Sequence, residues 1–344
     1  WSQNWNLSIE HQFSGNGFTK DLLVSAAYVG YEGYDITTAV DLNPGIYTTD
    51  ASACLAFNGN PPPCGVRSKY PNFSNITAYE PAGTESYNGV HLEAKKRFSH
   101  GVQFNSNFAW SKALNLTDES DANIGGVSDP LNPRHSRGIS SFNAPFIWNT
   151  FGTWQLPSYR GHGNLAEGAL GNWEVSGILT MSSGLPFSIG SPDNSFSDNG
   201  CRADRVPGVP LKVRQGSEYS GGPSGKGWLN EYFNTAAFTP CAQGTFGSSG
   251  RGLITGPSEK NLDMAVVKNF PFDNEQYRFQ FRWEMFNATN TPYFNIPDSG
   301  VTDSTFGQIQ NTNGLGNNGT GGNSSGQGVG DGGRVMQFAV KFYY

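Results

Sequence analysis

The chain has 344 residues, of which 15% are charged and 13% aromatic, with 45 glycines and a formal net charge of −6. Ordinary globular chains carry about 25% charged residues, and an acidic balance without a basic face argues against a nucleic-acid partner. Mean hydropathy is −0.46 and no run approaches about 18 consecutive apolar residues, which excludes a spanning helix but not a barrel, whose alternating segments average out as polar.

In chain order, period-two alternation predicts nine strands. Trp5, Leu7, Ile9 and Phe13 oppose Asn6, Ser8, Glu10 and Gln12. Leu22–Tyr31 is apolar on both sides, so its faces stay unassigned. Val90, Leu92, Ala94 and Phe98 oppose His91, Glu93, Lys95 and Arg97; Val102, Phe104, Phe108 and Trp110 oppose Gln103, Asn105, Asn107 and Ser111. Phe146–Leu156 is again apolar on both sides, whereas Trp173, Val175, Leu179 and Met181 oppose Glu174, Ser176, Thr180 and Ser182. Leu262–Phe270 alternates weakly. In the next segment Tyr277, Phe279, Phe281, Trp283 and Met285 divide from Arg278, Gln280, Arg282 and Glu284 too sharply for a helix. The last strand sets Met336, Phe338, Val340, Phe342 and Tyr344 against Val335, Gln337, Ala339, Lys341 and Tyr343.

The connections alternate in length. Short ones run over Ser14–Asp21, Ser99–Gly101, Pro157–Gly171 and Pro271–Gln276; long ones run over Glu32–Ser86, Ala113–Pro145, Gly184–Lys260 and Ala288–Gly333. Outer-membrane barrels have tight periplasmic turns and extended external loops, and a β-sandwich has no reason to sort its loops by parity. The expected fold is therefore all-β, an antiparallel transmembrane β-barrel whose apolar stripes face lipid. Single-chain barrels have even strand numbers, and Trp1 opens mid-pattern without a leader. Residues 1–344 are thus expected to be the C-terminal part of one larger barrel domain. One or two short strands are expected to hide in the long loops.

Several segments carry a family resemblance: SYNGVHLEAKKRFSHGVQFNSNFAWSKALN (Ser86–Asn115), GNWEVSGILTMSSGLPFSI (Gly171–Ile189), FNTAAFTP followed by GTFGSSGRGLITGPSEKNLDMAVVKNFPF (within Phe233–Phe272), YRFQFRWEMFNATNTPYF (Tyr277–Phe294) and the final strand. In content and order they resemble the TonB-dependent outer-membrane receptors, specifically the Oar-like family. The resemblance implies a roughly 22-stranded barrel with a plugged lumen, energised through the plug by the inner-membrane TonB complex. The plug, the preceding β-sandwich and the TonB-contacting segment are not among these residues.

The candidate sites follow from this frame. Arg278, Arg282 and Glu284 are expected to face the lumen, as contacts for a plug or an anionic solute or as a ladder of charges pairing with Glu93, Lys95 and Arg97 on other strands. Phe279, Phe281, Trp283, Phe338, Val340, Phe342 and Tyr344 are expected to face the membrane. Trp5, Trp110, Trp148, Trp154, Trp173 and Trp283, with Tyr343 and Tyr344, suit interfacial belts, the alternative being a sugar-stacking platform. The four cysteines lie in two long loops, Cys54 with Cys64 and Cys201 with Cys241, which suggests a disulfide within each, free thiols being the alternative. No CxxC or clustered histidine points to zinc. Asp118, Glu119, Asp121 and Asn123 form an acidic cluster; Asp118 and Asp121 make a weak calcium candidate, because the glycine and terminal glutamate of a calcium loop are lacking. Gly314, Gly316 and Gly319 match a dinucleotide motif by letter but sit in a Gly/Asn run with no helical content. Histidines 11, 91, 100, 135 and 162 are scattered and no nucleophile elbow exists, so neither catalysis nor a cofactor is expected.

The function expected from these readings is uptake of a scarce solute, such as a carbohydrate or peptide, by an outer-membrane TonB-dependent receptor. The expected partners are outer-membrane lipid, the barrel-assembly machinery acting on the C-terminal strand, the TonB complex and the solute. A passive porin or adhesion protein, and a soluble secreted β-rich binding module, are the alternatives.

Overall fold

The computed structural model describes residues 1–59, 61–118, 126–157, 168–212, 227–272, 277–311 and 333–344. Nine long strands form an antiparallel meander: β1 (Ser2–Phe13), β2 (Leu22–Asp41), β3 (Thr77–Ser99), β4 (Val102–Asn115), β5 (Phe146–Gln155), β6 (Trp173–Ser182), β7 (Glu259–Phe272), β8 (Tyr277–Phe286) and β9 (Val335–Tyr343). Each pairs with its neighbours in sequence, a two-residue strand at Gly138–Ile139 joins the end of β4, and β1 and β9 lie at the sheet edges.

Residues directly opposite each other in a ladder share a face, so the register traces one row across the whole sheet. It runs Phe13, Leu22, Lys96, Phe104, Gly152, Gly177, Met264, Met285, Met336. The row begins beside a short connection and ends beside a long one. The strands are therefore staggered, as barrel strands must be. It also joins the apolar halves of all nine strands into a single face. Leu7, Ile9, Trp110, Phe338 and Val340 stand exposed on it, and Phe342 packs on Phe279 with ring centroids 5.0 Å apart. Trp5 lies flat over Gly30, where a Cβ would come within 2.1 Å of the indole.

Register also settles the two segments whose faces the sequence left open. Tyr28 falls on the apolar face opposite Leu7 and Val90, whereas Leu23 falls on the polar face opposite Gln12 and Lys95. In β5, Trp148 and Trp154 lie on the apolar face, and Ile147 and Phe151 on the polar one.

Two expectations about strand extent are corrected. Residues 32–41 and 77–86 are strand rather than loop, so β2 and β3 reach 20 and 23 residues. At about 3.3 Å per residue they run roughly 65–75 Å, far beyond the 9–11 residues that cross a bilayer. The alternation was illegible there because the register shifts twice between Tyr34 and Thr38, around Asp35 at φ +57°. In β3 a further irregularity between Lys96 and Ser99 breaks the alternation, so Arg97 and Phe98 do not continue the two faces.

The connections at the long-loop end fold together. Residues 42–76 contain paired strands Ile46–Thr48 and Cys64–Val66 and a helix, α1 (Ala51–Asn58), capped by the Asp50 carboxylate and by Gly59 at φ +72°. Residues 183–258 contain three two-stranded pairings, joining Pro186–Phe187 to Ile254–Thr255, Gly190–Ser191 to Cys201–Arg202, and Asp204–Arg205 to Phe238–Thr239. Around them Phe187, Ile189, Phe233, Phe238 and Ile254 form an apolar core, with Phe306 packed against it from the connection before β9. A smaller core of Val40, Leu116 and Val127 seats the overhanging end of β2 against the next loop. The larger core lies in the loops, whereas the smaller joins Val40 of β2 to the loop residues Leu116 and Val127.

Cys54 is bonded to Cys64 and Cys201 to Cys241. Arginines supply the remaining ties. Arg251 donates to the Ser136 carbonyl at 2.8 Å and the Asn115 carbonyl at 2.6 Å, and pairs with Asp118 at 2.6 Å. Arg202 donates to the carbonyls of Ser249 and His135, both at 2.8 Å, and Arg67 reaches the Asn43 carbonyl and Asp198. Guanidinium suits this role because five donors in a rigid fork satisfy carbonyls that would otherwise be buried unpaired.

Asp118 takes part in fastening the loops. One carboxylate oxygen accepts from Asn115, Ser140 and the Ser141 amide, and the other holds Arg251. Asp121 lies outside the described residues. Burial pushes the Asp118 pKa up, but Asn115, Ser141 and Arg251 outweigh it and hold the carboxyl below the usual carboxylate range.

Three outcomes follow. The Cys201–Cys241 crosslink spans 40 residues, for which chain entropy gives about 4 kcal/mol; reduction should expose the 183–258 connection to limited proteolysis while leaving strand circular dichroism unchanged. A depressed folded pKa means that Asp118 contributes its full stability above its unfolded value, near 4, and loses it as pH falls through the lower folded value. Asp118→Asn should therefore speed amide exchange around Ser140 at pH 7, equivalent to about 1–2 kcal/mol, whereas wild type should show that loosening only below about pH 4. Phe342→Asp, which places a charge on the apolar face, should lower the amount of full-length protein in the outer membrane several-fold; an unchanged amount of heat-modifiable protein would count against the final-strand reading.

Candidate functional site

The polar face of the sheet is the one opposite the continuous apolar row. Arg278, Arg282 and Glu284 share it with Glu93 and Lys95, but not in the arrangement expected. Four strands separate β3 from β8, and Arg282 pairs instead with Glu284, two residues along its own strand, at 2.7 Å. Gln337 of β9 donates to the second oxygen of Glu284. Among the described residues Glu93 and Lys95 form no ion pair, so the cross-sheet ladder with Glu93, Lys95 and Arg97 is replaced by local pairing. A span of four strands, each about 4.8 Å apart, is too wide for those side chains to bridge.

At the short-turn end of this face, Arg278 stacks over the Tyr343 ring, with the guanidinium carbon 4.4 Å from the centroid. Tyr343 donates to Gln280 at 3.3 Å, and Gln280 donates to Asn269 at 3.0 Å. Tyr343 thus belongs to the polar face, not to an aromatic belt. The six tryptophans at 5, 110, 148, 154, 173 and 283 all fall on the apolar face by register. Phe279, Phe281, Phe338, Val340 and Phe342 share that face, and Tyr344 extends past the last ladder pair almost fully exposed. Beside Arg278 opens a polar cavity of about 930 Å³, bounded also by Gln155, Glu174, Asn269 and Tyr343.

Farther along the wall is a second hollow of about 340 Å³, lined by Gln103, Phe151, Ser176, Ile178, Asp263 and Glu284. It combines two carboxylates, an amide and the hydroxyls of Thr153 and Ser176 with apolar side chains, of which Phe151 and Ile178 are 50% and 54% exposed on a largely polar surface. Directed polar groups around an apolar patch suit a hydroxyl-rich or amide-bearing small molecule, in which ring faces stack while hydroxyl or N–H groups donate to carboxylates. The sequence reading passed over Phe151 because its segment was apolar on both sides. That double-sided apolarity was the available signal, since one side of every strand here ought to be polar.

Among the described residues no group of three or more His, Cys, Asp or Glu is placed to hold a metal. His135 sits in the loops, its Nδ1 facing Arg202 at 3.0 Å and its Nε2 the Gly247 carbonyl at 2.8 Å. His162 and Gly314, Gly316 and Gly319 lie outside the described residues.

Comparison with known proteins gives three results. The family model described as an outer membrane beta barrel domain matches residues 1–337. Among solved structures, the outer membrane transporter YddB from Escherichia coli aligns over 99% of this chain and 33% of its own, at 12% identity and a TM-score of 0.40. This chain thus spans about a third of that protein's length. A search of curated proteins returned no match. The staggered meander with one continuous apolar face and the match across nearly the whole chain agree: the chain belongs to the outer membrane beta-barrel domain family and resides in the bacterial outer membrane.

Proposed function

We propose that this chain is the C-terminal part of a TonB-dependent, Oar-like receptor barrel that imports a scarce solute, a carbohydrate or peptide. In this reading Phe279, Phe281, Trp283, Phe338, Val340, Phe342 and Tyr344 face lipid, and the opposite face lines a lumen. Further strands of the barrel pair with the open edges of β1 and β9, and the assembly machinery engages β9. A plug fills the lumen and couples it to the TonB complex. The hollow formed by Phe151, Ile178, Asp263 and Glu284 carries the proposal, because an apolar patch among carboxylates on a polar wall is what a solute-contacting surface requires.

The test is uptake of fluorescent oligosaccharides and oligopeptides by cells producing the full-length protein. Collapse of the proton-motive force with a protonophore should abolish accumulation; accumulation that persists would replace the energised receptor with a passive porin. Phe151→Ala should raise the concentration for half-maximal uptake roughly three- to tenfold, corresponding to about 0.7–1.4 kcal/mol. An unchanged value would remove the hollow from the solute path.

A further inference from the structure

Where the hollow of about 340 Å³ opens on the polar wall, a pair of apolar side chains sits in a closed polar frame. Phe151 of β5 stands directly opposite Ile178 of β6, which puts their Cβ atoms about 4.5–5.5 Å apart. On the same two strands the next pair up on this face is Asn149 with Thr180, and the next pair down is Thr153 with Ser176. On the flanking strands Asn105 of β4 stands opposite Phe151, and Asp263 of β7 stands opposite Ile178. Two half-exposed apolar side chains therefore make a platform, with amides, hydroxyls and a carboxylate on all four of its sides.

The frame is open to a ligand. Among the described residues, the side chains of Asn149, Thr153, Ser176 and Thr180 are not spent on hydrogen bonds within the chain. Asn107 donates an amide N–H to Asn105 Oδ1 at 3.0 Å, which leaves the Asn105 N–H groups to donate and the Asn107 oxygen to accept. Asp263 Oδ1 accepts the Asn287 amide at 2.8 Å, and among the described residues its second oxygen has no hydrogen-bond donor. These framing groups include no cation; Lys95 lies one strand beyond Asn105.

The shape of the frame selects the ligand. An extended peptide carries its polar main-chain groups in a line, at about 3.3 Å per residue, and would meet polar partners along two sides of the platform only. A pyranose ring has faces of C–H surface and hydroxyls around its whole rim, each able to donate and to accept. Side-chain amides and hydroxyls match that dual capacity. An anionic ligand would meet the Asp263 carboxylate with no cation in the frame to compensate. Asn107 and Asn261 continue the upper row to four strands, about 14 Å at 4.8 Å per strand, which is longer than one ring requires. We propose that this part of the wall binds a neutral oligosaccharide, one pyranose ring resting its C–H face on Phe151 and Ile178 with its hydroxyls held by Asn105, Asn149 and Asp263. The proposal rests on the reading of the hollow as a solute-contacting surface and deepens it, favouring saccharide over peptide and neutral over acidic.

The test uses full-length protein in a detergent without a sugar headgroup. It is titrated with neutral gluco-, manno- and galacto-configured oligosaccharides, an oligouronate and uncharged peptides of similar length, and binding is followed by saturation-transfer NMR of the ligand. At least one neutral oligosaccharide should bind, with the strongest transfer to its ring C–H hydrogens, and the oligouronate and peptides should bind at least tenfold more weakly. Phe151→Ala should weaken that saccharide at least fivefold, and Asp263→Asn should narrow the gap between neutral and uronate ligands at least threefold. Glu10→Gln, a charge change on the same face at β1, should match wild type. A diazirine-bearing form of the bound saccharide should label wild-type protein at Phe151, Ile178 or their frame, a readout that needs no variant. Equal binding of the oligouronate, saccharide binding unaffected by Phe151→Ala, or labelling confined to other segments would overturn the site. Peptide binding that depends on Phe151, with no neutral saccharide bound, would overturn the saccharide assignment and keep the hollow as a solute site. Binding of neither class would overturn the hollow itself and this proposal with it.

Discussion

The antiparallel ladder is the constraint on which everything else depends. In hydrocarbon no water is available to an unpaired N–H or C=O, so every crossing residue must bond to a neighbouring strand. Side chains then alternate with a period of two, and a slip of one residue would exchange the two faces. Across nine strands the register holds the same set of side chains on one face without exchange, from Phe13 to Met336. Its irregularities lie near strand ends, at Tyr34–Thr38 and Lys96–Ser99, where an unpaired group can be met by another loop or by water.

Among the described residues no second layer packs against the apolar face of the sheet, and the larger apolar core forms in the connections. The Phe187–Phe233–Phe238 cluster, the two disulfides and the arginines at 67, 202 and 251 do for the loops what a hydrophobic core does for a soluble domain. Arginine is favoured there because loop carbonyls converge without regular partners, and one guanidinium can serve several of them at once. These ties hold the connections together at the long-loop end of the sheet, and function on a scaffold tends to reside in such connections.

The two faces then divide the chemistry. On the polar face, local pairs such as Arg282 with Glu284 neutralise charge, which leaves the contrast between Phe151 and its carboxylate neighbours as the distinctive feature. On the apolar face, lysines at one end are folded back onto carbonyls and rings, while Lys112 at the other end is left free.

By itself the sequence determined the strand count, the order of the strands, the faces of those with clean alternation such as Tyr277–Met285, and the grouping of the cysteines by loop, because these follow from local periodicity and spacing. Only tertiary structure decided the rest. The faces of Leu22–Tyr31 and Phe146–Leu156 needed their partners' register, since both sides are apolar. The overhang of β2 and β3 was hidden by the shift around Asp35, which breaks the period that a reader of sequence relies on. The fastening role of Asp118 came from Arg251, a partner 133 residues away. The ion pair of Arg282 turned on which strands are adjacent, and adjacency is a property of the sheet rather than of any one strand.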